Sequence, residues 1–215
     1  MKTSAIFLFN TIFCKQIVKY FLKNKRLKLN EKQKMLNGEL YSAGLDFKLF
    51  AERQHCKNLC YKYNNTSPLF MRIRNLLLKR IIGKIGNSFL IEQPFMCDYG
   101  YNIEIGENFC SNHNFLVLDS AKVKIGNNVL IGPNCSLYTS THPLNYKERE
   151  VGTELAKPIT IEDNVWLGGN VVVLAGITIG RNSVIGAGSV VSKDIPENSV
   201  AIGNPCKVIK TIDGI

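Results

Sequence analysis

Aliphatic side chains recur at every sixth position in the C-terminal part of the chain. The positions are Ile161, Leu167, Val173, Ile179, Ile185 and Val191. A helix has a period of 3.6 residues and a half-buried strand a period of 2, so neither explains five equal intervals of six. A chain that turns a corner after each short strand does explain them. Hexapeptide repetition of this kind predicts a parallel β-helix.

The surrounding residues agree with a triangular coil of three hexads, stacked at the ordinary strand spacing of about 4.8 Å. A second, small or β-branched position follows four residues after each aliphatic one and is expected to face inward: Val165, Val171, Ile177, Ser183, Ser189 and Ile195. Glycine and asparagine supply the corners. Ile105 lies twenty residues before Ile125, which predicts a two-residue bulge in one coil. A β-sandwich with fortuitous spacing is the alternative.

Helical patterns precede the repeats. Apolar positions at helix-like intervals predict helical segments over 35–63 and 69–82, separated by a turn at 64–68. The hexad register runs from about 85 to 202. A polar, aperiodic stretch at about 139–158 interrupts it, and a solenoid would expel this stretch as an external loop. We therefore expect a basic N-terminal arm (1–34), a helical cap (35–83) and a β-helix with a C-terminal tail (84–215).

The net charge of +10 is concentrated near the N-terminus. Residues 15–34 carry eight Lys or Arg against one Glu, and Lys2 adds one more, which leaves about +2 for the rest. The body has no basic stripe with interleaved aromatics, so nucleic acid is not an expected partner. The apolar run at 5–14 is too short to span a bilayer and lacks a signal-peptide cleavage site. Contact of the basic leader with a membrane surface is the less favoured alternative.

The seven cysteines are odd in number and include no Cys-x-x-Cys pair. They form no regular disulfide framework. We expect a reduced, cytoplasmic protein in which the thiols behave as small buried side chains.

Three histidines are candidates for chemistry. His55 is interpreted as a surface residue of the cap, and His113 lies at a coil corner. His142 opens the expelled loop, directly before Pro143. Because His113 and His142 stand 29 residues apart with no third partner, they do not match a three-histidine zinc site, and no metal is expected. A general base explains His142 better, since imidazole exchanges protons near neutral pH. On loop position alone, a structural role stays open.

Several motifs together carry a family resemblance. They are Asn108-Phe-Cys-Ser-Asn112-His-Asn-Phe-Leu-Val-Leu-Asp119, Thr139-Ser-Thr-His142-Pro143, Lys157-Pro-Ile-Thr-Ile-Glu-Asp-Asn-Val-Trp166-Leu-Gly-Gly169, Gly186-Ala-Gly-Ser-Val-Val-Ser192-Lys193 and Gly203-Asn-Pro-Cys206-Lys207. Upstream, Met35-Leu-Asn-Gly38-Glu-Leu-Tyr41 and Ala51-Glu-Arg53 look like a helical cap. Over about residues 35–210 the chain strongly resembles the maltose and galactoside O-acetyltransferases, which are hexapeptide-repeat enzymes.

The resemblance implies a mainly β fold, a left-handed parallel β-helix with an N-terminal α-helical cap. It also implies a homotrimer with active sites between subunits, acetyl-CoA as co-substrate and a small-molecule sugar as acceptor. His142 would be the general base that activates the acceptor hydroxyl. The acceptor-binding residues would be Asp98, Asn112, Arg53 and Trp166. The residues matching the coenzyme-binding positions are Gly169, Ala187, Ser192, Lys193, Lys207 and Lys210, and a backbone N–H near Gly169 would stabilise the oxyanion.

Two features depart from the family pattern. Ser42 and Ala43 stand where the family commonly has an acidic residue, and Cys110 stands where an aromatic residue can face the sugar. The sequence therefore does not identify the acceptor substrate. An amine, serine or xenobiotic acceptor on the same fold is the second hypothesis, and a non-catalytic trimeric β-helix that binds a partner is the third.

Overall fold

The computed structural model describes residues 30–44 and 46–212. Most of the predicted basic arm lies outside these residues. Three helices come first, α1 (Glu31–Leu36), α2 (Phe47–Asn64) and α3 (Met71–Ile81), and the strands follow from position 84 onward. The division of the chain into arm, cap and β-helix domains stays a prediction.

The segment predicted as helical over 35–63 contains a break. After α1 the chain turns through Gly38, whose φ of 72° lies in the left-handed region that glycine adopts readily at helix ends. Helix α2 begins only after Asp46, whose side chain caps it by accepting a hydrogen bond from the N–H of Leu49 at 2.8 Å. The spacing of apolar residues did not reveal this break, because Leu40 and Tyr41 continue the helical pattern across it.

Three parallel sheets form the faces of the β-helix. The first face contains β1 (Lys84–Ile85), β4 (Ile103–Ile105), β7 (Val123–Ile125), β12 (Ile159–Ile161) and β15 (Thr178–Ile179). The second contains β2 (Phe89–Ile91), β5 (Phe109–Ser111), β8 (Leu130–Ile131), β13 (Trp166–Leu167), β16 (Val184–Ile185) and β18 (Ser199–Ile202), to which β19 (Lys207–Thr211) adds antiparallel. The third contains β3 (Phe95–Cys97), β6 (Phe115–Leu118), β9 (Ser136–Tyr138), β14 (Val172–Val173) and β17 (Val190–Val191).

We name the corners by the faces that they join. The first corner leads from the first face to the second, the second corner from the second face to the third, and the third corner from the third face to the first face of the next coil. The position of each candidate residue of the β-helix is given below by its face or corner.

The hexad residues line the interior, as the repeat predicts. The six aliphatic residues of the repeat between positions 161 and 191 are all at most 1% exposed, and the second inward series is buried as well. The two serines of that series are satisfied inside: Ser183 Oγ donates to the carbonyl of Pro196 at 2.8 Å, and Ser189 Oγ donates to that of Gly186 at 2.6 Å. Burial of these apolar ladders, coil upon coil, is what stabilises the solenoid.

An asparagine ladder runs along the first corner. Its members are Asn108, Asn128, Asn164, Asn182 and Asn198, with φ values of 55–61°. Asparagine tolerates this left-handed conformation better than other residues with a side chain. Each amide donates to the Oδ1 of the next at 2.8–3.0 Å. The predicted asparagine corners are therefore confirmed, and they also bond the coils to one another.

Departures from the eighteen-residue period among the described strands fall at the third corner. Ile85 pairs with Ile105 and Ile105 with Ile125, twenty residues apart each time. The extra residues lie at 98–102 and 118–122, so the predicted two-residue bulge is present in two consecutive coils rather than one. Ile125 then pairs with Ile161, because the external loop is inserted at this same corner.

The external loop has a structure of its own. Strands β10 (Ser140–Thr141) and β11 (Leu155–Ala156) pair antiparallel at its base, and α4 (Tyr146–Glu150) lies between them. The cap holds this loop through Tyr41 and Glu154, whose backbones exchange hydrogen bonds at 3.1 and 2.8 Å, while the Tyr41 hydroxyl donates to the Glu154 carboxylate at 2.8 Å. The predicted mainly β fold, a parallel β-helix with N-terminal helices and an expelled loop, is confirmed.

Candidate active site

His142 follows β10 at the start of the external loop, and its side chain is exposed. Its Nδ1 lies 3.3 Å from the carbonyl oxygen of Thr153 across the loop. A carbonyl oxygen only accepts, so this contact forms a hydrogen bond in the tautomer that carries its proton on Nδ1. In that tautomer Nε2 carries the lone pair, and Nε2 has no hydrogen-bond partner within the described part of the chain. An exposed imidazole in this tautomer can take a proton from a hydroxyl group.

The loop gives His142 a defined backbone. Pro143 is buried directly after it. The guanidinium of Arg149 donates through Nη1 to the carbonyls of Pro143 and Leu144 at 2.8 and 2.7 Å. These contacts, together with the β10–β11 ladder, fix the backbone on both sides of His142.

Asp98 lies in the third corner, beside the cap. It is half-buried, and burial raises its pKa, whereas the nearby cations Arg53 and Lys57 of α2 act in the opposite direction. One coil further on, the fully buried Asp119 accepts hydrogen bonds through Oδ1 from the backbone N–H groups of Asp98 and Tyr99, at 3.0 and 2.8 Å. The structure therefore places Asp98 near Arg53 and fixes its backbone through Asp119.

Asn112 and Trp166 lie elsewhere on the prism. Asn112 is exposed in the second corner, where its Oδ1 accepts the N–H of His113 at 2.8 Å. Trp166 points outward from the second face, beside Leu130 and Val184 in register, and is 52% exposed. An indole with this much accessible apolar area is suited to cover a ligand or a neighbouring subunit.

The candidate coenzyme-binding residues occupy two corners and one terminal strand. Gly169 and Ala187 stack in the second corner, where the N–H of Gly188 donates to the Gly169 carbonyl at 2.8 Å. The coils approach so closely here that a Cβ on Gly168 would lie 2.6 Å from the Ala187 nitrogen. Ser192 and Lys193 are exposed in the third corner, and Lys207 and Lys210 are exposed on β19.

The predicted site residues thus form two groups, one on each side of the third face. The group at the second face and second corner comprises Asn112, Trp166, Gly169 and Ala187. The group at the third corner comprises Asp98, His142, Ser192 and Lys193, with Arg53 of α2 beside Asp98. The strands of the third face separate the two groups, so a single chain does not bring them together. Lys207 and Lys210 lie apart from both, at the end of the second face.

The sequence analysis did not predict two features of this region. One is Asp119, whose pKa burial raises to about 7; it closes a quoted motif, but nothing in the spacing indicated that it faces inward. The other is a group of three buried thiols, Cys56, Cys60 and Cys97, with their Sγ atoms within 4.8 Å of one another. The helical spacing of Cys56 and Cys60 was the available signal, whereas Cys97 joins them only through the packing of α2 on β3.

Three further expectations from the sequence concern His55, the cysteines and membrane spans. His55 is exposed on α2. Five of the six described cysteines are buried, as expected for small apolar side chains, and Cys110 is partly exposed. In the described part of the chain, no helix combines the length and the apolar composition needed to cross a membrane.

Comparisons with known proteins identify the family. A family model of the maltose acetyltransferase hexapeptide capping motif matches residues 34–86, and one of the bacterial transferase hexapeptide (six repeats) matches residues 158–193. The solved maltose O-acetyltransferase of Clostridium difficile 630 is 48% identical, with a TM-score of 0.85 over 87% of this chain and 100% of that chain. The chain belongs to the maltose and galactoside acetyltransferase family.

Two further similar structures were solved with a coenzyme. A galactoside acetyltransferase in complex with coenzyme A is 41% identical, with a TM-score of 0.83 over 86% of this chain and 92% of that one. A hexapeptide-repeat acetyltransferase of Vibrio cholerae in complex with acetyl coenzyme A is 36% identical, with a TM-score of 0.80 over 86% of this chain and 100% of that one. The family resemblance seen in the sequence is confirmed, and the protein is an acetyltransferase of this type.

Proposed function

We propose that this acetyltransferase uses acetyl-CoA to acetylate a hydroxyl group of a sugar, with His142 as the general base. The observation that carries the proposal is the contact between His142 Nδ1 and the Thr153 carbonyl, which leaves an exposed Nε2 able to accept a proton. Likeness to the maltose O-acetyltransferase supports a hydroxyl acceptor. The two relatives solved with coenzyme A or acetyl coenzyme A support the co-substrate.

The reaction takes place within one ternary complex. Nε2 of His142 takes the proton of the acceptor hydroxyl while the hydroxyl oxygen attacks the thioester carbonyl carbon, and a tetrahedral oxyanion forms. Collapse of this intermediate breaks the C–S bond and leaves an acetyl ester on the acceptor. The departing CoA thiolate takes the proton back from the imidazolium, so neither a cysteine nor a serine nucleophile is needed. A backbone N–H near Gly169 is expected to stabilise the oxyanion.

The acceptor is assigned to Asp98, Arg53, Asn112 and Trp166. A carboxylate accepts hydrogen bonds from sugar hydroxyls, a guanidinium donates to them, and an amide does both. The exposed indole of Trp166 offers an apolar surface for a sugar ring. The half-burial of Asp98 supports this role, because a partly desolvated carboxylate makes stronger hydrogen bonds than a solvated one.

Coenzyme binding is assigned to the second corner, the third corner and β19. Gly169 and Ala187 have little or no side chain, so an extended pantetheine arm can approach the backbone there. Lys193, Lys207 and Lys210 are exposed and can meet the CoA phosphates as point charges, with the Ser192 hydroxyl as a further donor.

A homotrimer would complete the site. The third face separates His142 and Asp98 from Asn112 and Gly169 within one chain, so each chain carries two half-sites. A closed cyclic assembly uses two different surface patches on each subunit, and in a trimer the third corner of one subunit can meet the second corner of the next. A cytoplasmic location belongs to the same proposal, because the free buried thiols suit a reducing compartment.

A CoA-release assay tests this function. Purified protein is incubated with acetyl-CoA and a panel of sugars, nucleosides and amines, and free thiol is followed with time. We expect release that depends on a sugar and an O-acetyl ester in the product. Release that depends only on amines would move the assignment to the second hypothesis. No acceptor-dependent release, in a trimer that binds acetyl-CoA, would favour a binding protein instead.

A further inference from the structure

We propose that Cys56, Cys60 and Cys97 form a binding site for a thiophilic d¹⁰ cation, Zn²⁺ or Cu⁺, which joins the helical cap to the β-helix. Nothing in the acetyl-transfer chemistry uses these residues. The proposal departs from the expectation of no metal, which the histidines alone suggested.

The distances between the sulfur atoms fit shared coordination. The Sγ of Cys97 lies 3.5 Å from that of Cys56 and 3.8 Å from that of Cys60, and all three lie within 4.8 Å of one another. Zinc–sulfur bonds of about 2.3 Å at tetrahedral angles place two thiolates about 3.8 Å apart. A cation can therefore enter between the three sulfurs with little movement of the backbone. Thiolate sulfur is also the ligand that Zn²⁺ and Cu⁺ prefer over harder cations.

The three ligands come from the helical cap and from the β-helix. Cys56 and Cys60 stand one turn apart on the same face of α2, and Cys97 ends β3 on the third face of the β-helix. The sulfurs meet only when α2 packs against β3. The binding free energy of a metal would therefore stabilise the docking of the cap, as in other sites that form on folding.

The thiols already interact as a group. The Sγ atoms of Cys56 and Cys60 both lie within hydrogen-bonding distance of the Sγ of Cys97. Metal binding would release the thiol protons to solvent. Three thiolates around Zn²⁺ leave one negative charge, and Arg53 and Lys57 each stand three residues before a cysteine on the same helix. Both cations act on Asp98, the residue that directly follows Cys97.

The cluster also has a route to solvent. A cavity of about 430 Å³ opens between α2, α3 and the corner that carries Tyr99 and Tyr101, and Cys56 lines it. His55 and Glu52 line the same cavity, together with Arg80 and with Lys32, which forms an ion pair with Glu52 at 2.8 Å. Cys56 itself is only 3% exposed, which protects a bound cation from exchange.

Another buried cysteine provides a contrast. Cys135 donates its thiol to the Gly168 carbonyl at 3.0 Å and belongs to no such group among the described residues. Its variant Cys135→Ala is not a clean control, because it lies beneath the proposed coenzyme corner. Cys206, which is also buried and free, is the better matched control.

Metal analysis of the full-length protein tests the site. The protein is purified with a non-thiol reductant and without chelator, and zinc and copper are counted per chain by mass spectrometry for the wild type and for Cys56→Ala, Cys60→Ala and Cys206→Ala. We expect about one cation per chain in the wild type and in Cys206→Ala, and at least a tenfold loss in the other two. The element found identifies the cation. Equal metal content in wild type and Cys56→Ala, or no metal in either, overturns the proposal.

A second measurement decides the matter if the variants fail to fold. Wild-type protein stripped of metal is titrated with Co²⁺ under anaerobic conditions. We expect an intense thiolate-to-cobalt charge-transfer band in the near ultraviolet that saturates at one Co²⁺ per chain and is displaced by Zn²⁺. Absence of that band shows that the three sulfurs form only a buried thiol cluster, and the proposal then fails whether or not the protein transfers acetyl groups.

Discussion

The backbone N–H of Asp98 donates to Oδ1 of Asp119 at 3.0 Å, so a buried carboxyl group holds a candidate substrate residue in place. Oδ2 of Asp119 is buried and has no hydrogen-bond partner among the described residues. Burial raises the pKa of Asp119 to about 7. The third corner therefore contains an acid that stays protonated in the folded protein well above the pH at which an unfolded chain loses the proton.

This relationship predicts how stability depends on pH. Between about pH 4 and pH 7 the folded protein retains the Asp119 proton that the unfolded chain has released, so the free energy of unfolding decreases as the pH rises through this window. The slope from this group is up to about 1.4 kcal/mol per pH unit. Asp119→Asn, which keeps an oxygen acceptor for the two N–H groups, should flatten the dependence. Denaturant titrations at a fixed protein concentration measure the free energy of unfolding of both proteins at pH 5 and pH 8. If this free energy changes between the two pH values by the same amount in the wild type and in Asp119→Asn, the assignment is refuted.

The asparagine ladder predicts a specific pair of stability changes. Asn164 has a φ of 60°, accepts from Asn128 at 2.9 Å and donates to Asn182 at 2.8 Å. Asn164→Ala loses both bonds and adds backbone strain, so we expect a cost of about 2–4 kcal/mol. Asn164→Gly loses the bonds without the strain and should cost about half as much. Thermal unfolding of both variants separates the two effects, and an equal loss in both would show that strain at this corner is unimportant.

Coenzyme binding by the third corner predicts a selective change in KM. Removing the exposed ammonium of Lys193 by Lys193→Ala should raise the KM for acetyl-CoA about 3- to 10-fold, because one phosphate contact is worth about 1 kcal/mol near the surface. The turnover number should change little. Lys124→Ala, at an exposed position on the first face, is the matched control and should leave both constants unaltered. A KM that is the same in both variants would remove Lys193 from the coenzyme site.

The two half-sites predict complementation between inactive chains. If His142 of one subunit acts with Asn112 of the next, random trimers of His142→Ala and Asn112→Ala chains contain some intact sites. Three quarters of the trimers are mixed and each has one intact site in three, so activity should recover to about a quarter of the wild-type value. Coexpression followed by a CoA-release assay measures the recovery. If each variant alone is inactive and the mixture is too, the two residues do not meet across a subunit interface.

The β-helix could be read from the chain because its stabilising contacts repeat. Ile161, Leu167 and their successors are buried at a spacing that the sequence displays directly, and the corners repeat with them. The second extended coil was missed, because only Ile105 and Ile125 were compared, and the matching pair Ile85 and Ile105 was not.

The structures of the cap and of the candidate site could be predicted less completely, because they depend on contacts between segments that are distant in the sequence. The turn at Gly38 interrupts an apolar pattern that looks helical, and its reason lies in the pairing of Tyr41 with Glu154, more than a hundred residues away. Likewise, Cys97 meets Cys56 only through the packing of α2. His142 could be singled out because the loop that carries it breaks the hexad period, whereas its contact with the Thr153 carbonyl depends on how the loop folds back on itself.

The most direct measurement is the steady-state rate of acetyl transfer by His142→Ala, with Thr153 and the loop left unchanged. The account predicts a decrease in kcat of about 10²- to 10⁴-fold, with a circular dichroism spectrum and an assembly state equal to those of the wild type. His113→Ala, a change at an exposed corner histidine, should stay close to wild-type activity. A His142→Ala enzyme that turns over at the wild-type rate would contradict the account at its centre.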